Sequence, residues 1–112
     1  MRNTWIAISL CLGLLGAAGC ASEEDREKAE LRAQIEAGLV EYEELLERYN
    51  ALRAELRPGA PPQSNAKASA YQYVLSNDPE PRLLKLNLGQ LEGSIEILRA
   101  GVARYEEQLA TR

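Results

Sequence analysis

The chain has 112 residues, 46% hydrophobic and 27% charged, with 13 Lys and Arg against 17 Asp and Glu, two Cys, no His and no Phe. Both cysteines, the one Met and the one Trp fall in the first 20 residues, whose one charge is Arg2, so about 90 residues remain for at most one small domain. This excludes the usual His/Cys metal clusters and Cys/His catalysis from the body of the chain.

The N-terminal segment comes first. Met1-Arg2-Asn3 is a short positive start, Thr4 to Ala18 runs without a charge, and Gly19-Cys20 closes the run. A membrane span needs about 20 apolar residues, so this stretch is short for one, and its small-residue end suits a cleaved signal peptide. The residues Ala17-Ala18-Gly19-Cys20 resemble the lipobox of bacterial lipoproteins, small residues directly before a Cys, with Ala17 where that motif prefers Leu. The resemblance implies that residues 1–19 are removed as a signal peptide and that 20–21 form a lipidated N-terminus. Cys20 would then carry a diacylglycerol on sulfur and a palmitate-type acyl chain on its new amine. Two or more chains hold a protein stably on a bilayer, where one does not. Ala21, in place of the Asp that retains such proteins at the inner membrane, implies the periplasmic face of the outer membrane. Cys11 would leave with the signal, so the mature chain would have no free thiol and no disulfide.

Residues 22–57 predict a first helix, acidic in character. The segment lacks Pro and holds one Gly, Gly38, among good helix formers. Ser22 and Asp25 fit a capping pattern, with acidic residues crowded into the first turn. Leu31, Ile35, Gly38, Tyr42, Leu45, Tyr49, Leu52 and Leu56 alternate spacings of four and three, and Leu39 and Leu46 widen the stripe.

Residues 58–82 read as a Pro-rich connector holding all five prolines. Pro58-Gly59 ends the first helix and Pro61-Pro62 favours extended backbone. Tyr71 to Leu75 is its apolar island, either a short turn or helix packed over the end of a hairpin or an exposed strand offered to a partner's sheet edge. Asp78-Pro79 reads as the cap and first turn of the next helix.

Residues 83–111 form the second predicted helix, with the most complete pattern in the chain. Leu88, Ile95, Val102 and Leu109 occupy heptad a positions, and Leu84, Leu91, Leu98 and Tyr105 occupy d positions. The predicted fold is therefore all-α, a two-helix antiparallel hairpin with a coiled-coil-like seam. Such a hairpin is marginal alone, so a partner helix, self-association or tethering would help it. Gly89, Gly93 and Gly101 interrupt this helix at a cost of about 1 kcal/mol each against Ala. Gly89, Gly93, Ile97 and Ala100 share a face beside the seam, with Leu86 near it; this face reads either as a solvated side on which glycine is tolerated or as the candidate interface for a second copy or a partner.

The remaining chemistry is sparse. The carboxylates Glu41, Glu43, Glu44 and Glu47 read as a solvated helix face and not as an acid–base pair, which would need a cleft that separates their pKa values. No glycine loop resembles a phosphate cradle, so no catalytic residue, cofactor or metal is expected. From Ala21 on, 12 basic residues face 17 acidic ones, which disfavours nucleic acid. A lipidated Cys before a short helical body also resembles the small coiled-coil envelope lipoproteins, of which murein lipoprotein is the best-known type. That type ends in a Lys joined to peptidoglycan; here Thr111-Arg112 ends the sequence, and a guanidinium cannot replace that amine, so no covalent peptidoglycan link is expected. The expected function is that of a membrane-anchored structural or interaction module binding a protein partner or itself. The alternative is a regulator or inhibitor of an envelope enzyme or secretion component, presenting the 71–75 loop or the acidic helix.

Overall fold

The computed structural model describes residues 22–112, and among these all regular structure is helical. There are three helices: α1 (Glu23–Leu56), α2 (Ala66–Ser76) and α3 (Pro81–Ala110). The expected signal peptide and Cys20 lie outside the described residues.

Helix α1 starts as its capping residues dictate. The Ser22 hydroxyl accepts from the Asp25 backbone N–H at 3.0 Å, and Glu23, Glu24 and Asp25 fill the first turn, where the helix dipole favours negative charge. The helix stops at Arg57, just before Pro58, and Gly59 takes the positive φ of 93° that turns the chain back. The start of α3 departs from the expected cap. Asp78 is in the left-handed region (φ 50°), Glu80 is extended at the N-cap, and the helix begins at Pro81. Pro81 restricts the residue before it to extended backbone, so the helix cannot begin at Pro79.

The antiparallel hairpin is corrected by the structure. Helices α1 and α3 run parallel, because their cross-contacts climb both chains together. Lys85 pairs with Glu27 at 2.8 Å, Arg99 with Glu41, and Arg48 with Glu106 at 2.6 Å. Tyr49 and Tyr105 lie together further along, with ring centroids 5.0 Å apart. The partners are 56 to 58 residues apart in sequence throughout, so Glu23 and Pro81, the two helix starts, stand nearly level.

The connector makes this possible by returning along α1. The Asn50 side chain accepts from the Gln63 N–H at 2.9 Å, Asn65 reaches Glu43, Arg32 donates to the Leu75 carbonyl at 2.8 Å, and Lys28 pairs with Asp78 at 3.3 Å. The topology is up–down–up, long–short–long. The 71–75 segment is accordingly the packed short helix and not the exposed strand, although it lies along the two long helices and not over a hairpin end. It lies within α2, with Tyr71 and Leu75 buried.

Burial explains why this arrangement forms. Ala68, Tyr71 and Leu75 of α2 enter one core with Leu31, Ile35, Leu39, Tyr42 and Leu46 of α1 and Leu84, Leu91, Ile95 and Leu98 of α3. Leu84 and Leu91 are 0% exposed and Ile35 1%, each contributing about 1.5–3 kcal/mol of burial. A two-helix hairpin would leave the α2 stripe, and the Leu39 and Leu46 edge of α1, in water. Beyond α2 the two long helices continue together around Leu52, Val102 and Tyr105.

Candidate functional site

The outward face of α3 is the candidate site. Seen along the helix, Leu83, Leu86, Gly89, Gln90, Gly93, Ile97 and Ala100 fall within about one third of the circumference at 100° per residue. No charged residue shares that strip between Arg82 and Arg104. Leu86 is 57% exposed and Ile97 71%. At Gly89 and Gly93 an added Cβ would meet nothing within 4 Å, so neither glycine is needed for packing within the described chain.

Helix α2 turns part of this face into a groove. Its Lys67, Ala70, Tyr71 and Val74 form one wall, and Gln90, Gly93, Ser94 and Ile97 of α3 form the other, around about 500 Å³. Asn87 lies at its base, buried, and is satisfied by donating to the Leu83 carbonyl at 2.8 Å. Of the four expected interface residues, the structure brings Gly93 and Ile97 to the groove and leaves Gly89 and Ala100 exposed on the helix outside it.

Gly101 has a different role from its two neighbours. It is buried under the Tyr49 ring, where a Cβ would lie 2.8 Å from Cε1. Gly38 plays the matching part on α1, 2.8 Å from Leu91 Cδ2 by the same measure. Both allow close approach of α1 and α3, a packing role that spacing on one helix alone does not display.

A polar cluster sits where α2 no longer covers the pair. The Tyr49 and Tyr105 hydroxyls are 3.2 Å apart, and Arg53 Nη1 donates to the Tyr105 oxygen at 3.5 Å. The hydrogen bond from Tyr49, with Arg53 and Arg57 nearby, lowers the Tyr105 phenol below its ordinary value, while the same hydrogen bond raises that of Tyr49. Arg53 Nε is enclosed without a hydrogen-bond partner among the described residues. Burial, with Tyr71 beside it, raises the Tyr42 phenol. The spacing of these tyrosines marks them only as seam residues; their pairing depends on the parallel register.

A second groove, between α1 and α2, is lined by charged Arg32, Glu36 and Glu43 beside Val40, and a third depression at the start of α1 is almost wholly acidic. Glu41 pairs with Arg99, and Glu43 accepts from Asn65; Glu44 and Glu47 are exposed. Among the described residues no group of three or more His, Cys, Asp or Glu is placed to hold a metal, and no helix is long and apolar enough to cross a membrane. No protein-family model matches the chain, and no curated protein or solved structure matches it.

Proposed function

We propose that this chain is a lipid-anchored envelope protein, held on the periplasmic face of the outer membrane through Cys20, and that it works as a non-catalytic interaction module. The lipobox-like Ala17 to Cys20 supports the anchor. The uncharged α3 face from Gly89 to Ala100 supports the module: a charge-free helix face about three turns long, edged by a groove, is what helical packing against a protein partner or a second copy uses. The observation that carries the reading is the open space over Gly93 beside the exposed Ile97. The acidic α1 serves solubility, with its charges drawn into pairs to α3.

Two variants test this. Cys20→Ser should leave the precursor uncut, remove acyl labelling and release the protein from the membrane fraction; unchanged mass and fractionation would contradict the anchor. Ile97→Asp in the lipidated chain should keep its helicity but lose the assembly seen by cross-linking in the native envelope. If assembly survives that charge, the α3 face is not the contact.

A further inference from the structure

We propose that Leu83 and Leu86 make a second contact with the bilayer, beside the lipid anchor, and so fix which side of the body faces the membrane. The inference rests on the reading of Cys20 as the anchored residue and names the surface that lies closest to it.

Three observations converge. Only Ala21 and Ser22 separate Cys20 from Glu23, the first residue of α1, so the anchor lies within about 10 Å of the helix start even when extended. The parallel register sets the start of α3 level with it, held there by the Glu27–Lys85 and Lys28–Asp78 ion pairs. Leu83 and Leu86 fall in the first two turns of α3, within about 8 Å of that level, and are 44% and 57% exposed. Two large apolar side chains in water at the tip nearest the acyl chains have the bilayer interface within reach.

The surrounding charges define the contact. Arg82 adjoins the two leucines and is exposed, suited to a lipid phosphate, while Lys85 is engaged by Glu27. Glu23, Glu24 and Asp25 lie at the same level on α1, and Glu80 is exposed in the turn before α3. These carboxylates are repelled by an anionic surface and accommodated by amine-bearing zwitterionic headgroups, so the bilayer favoured is zwitterionic. The acyl chains supply the affinity; the leucines supply orientation, with the α3 C-terminus and the Tyr49–Tyr105 end standing away from the lipid.

The test uses the processed, lipidated full chain in phosphatidylcholine–phosphatidylethanolamine vesicles. Since Cys20 is acylated and Cys11 departs with the signal, an introduced Cys is the sole thiol. Leu86→Cys, Glu30→Cys and Gln108→Cys each receive an environment-sensitive fluorophore, and quenching by spin-labelled lipid is read. Glu30 stands near Leu86 in height but is exposed on α1, away from the leucine face of α3; Gln108 is at the opposite end. Quenching at least threefold stronger at position 86 than at 30 and 108 is the expected result. Equal quenching at 86 and 30, or none at 86 while the protein is vesicle-bound, overturns the proposal. A probe at 86 that is shielded from water yet not quenched by lipid marks a protein contact there, and overturns it too. Mass spectrometry of the Cys20 peptide reports separately on the anchor: without acyl mass there, the anchor reading fails and takes this contact with it.

Discussion

Gly101 of α3 lies directly against the Tyr49 ring of α1, so that a Cβ at position 101 would be 2.8 Å from Tyr49 Cε1. The contact sets the approach of the two long helices where α2 no longer covers them, and it places the Tyr49 hydroxyl 3.2 Å from that of Tyr105. Gly89, one turn before Gly93 and two before Ile97, has open space where a Cβ would lie.

The two glycines should therefore respond oppositely to substitution. Gly101→Leu overpacks the interface and should cost about 1–3 kcal/mol, lowering the thermal midpoint by several degrees. Gly89→Ala should stabilise by up to about 1 kcal/mol, because it gains helix propensity and meets nothing. Thermal unfolding followed by circular dichroism decides it; equal effects at both positions would contradict the packing assigned to Gly101.

The connector should resist shortening. A parallel pair needs its link to travel the length of α1, about 50 Å for 34 residues, and six Gly/Ser residues reach only about 20 Å. Replacing residues 58–80 with such a link should abolish cooperative unfolding of the native bundle. An antiparallel hairpin would keep its midpoint almost unchanged.

Alkaline pH should loosen the core through Tyr42. Burial raises its phenol above the ordinary value of about 10. A tyrosine raised in the folded state favours the neutral form, so its contribution is complete below pH about 10 and is lost as pH climbs through the folded value. Tyr42→Phe should flatten the fall in stability above pH about 10 relative to the native chain. Denaturant midpoints measured from neutral pH into that range check this, and identical slopes would refute it.

The faces of the long helices were readable in the sequence and their direction was not. A four–three spacing of Leu and Ile says which side of a helix is buried, and it reads the same from either end. Thus Leu84, Leu91, Ile95 and Leu98 were identified and are buried, yet an antiparallel partner satisfied the pattern equally well. The deciding signal lay in the connector, where Ala68, Tyr71 and Leu75 carry the same spacing over one short helix. Ala68 buries little area, and five flanking prolines masked the stripe. The glycine face was visible as an anomaly, but the separation of Gly101, which packs, from Gly89 and Gly93, which do not, needed the Tyr49 ring opposite. The groove could not be read at all, since its second wall belongs to α2.

The parallel relation of α1 and α3 underlies the close contact at Gly101, the groove beside Ile97 and the position of Leu86 near the proposed anchor. Pulsed dipolar spectroscopy on the body from Ser22 onward, which holds no native cysteine, measures that relation with spin labels at Glu30→Cys paired either with Leu86→Cys or with Gln108→Cys. The account predicts a short distance for the 30/86 pair and one longer by roughly 15 Å for the 30/108 pair, once label reach is allowed for, from about 30 Å of extra helix at 1.5 Å per residue. A short 30/108 distance with a long 30/86 distance would contradict it.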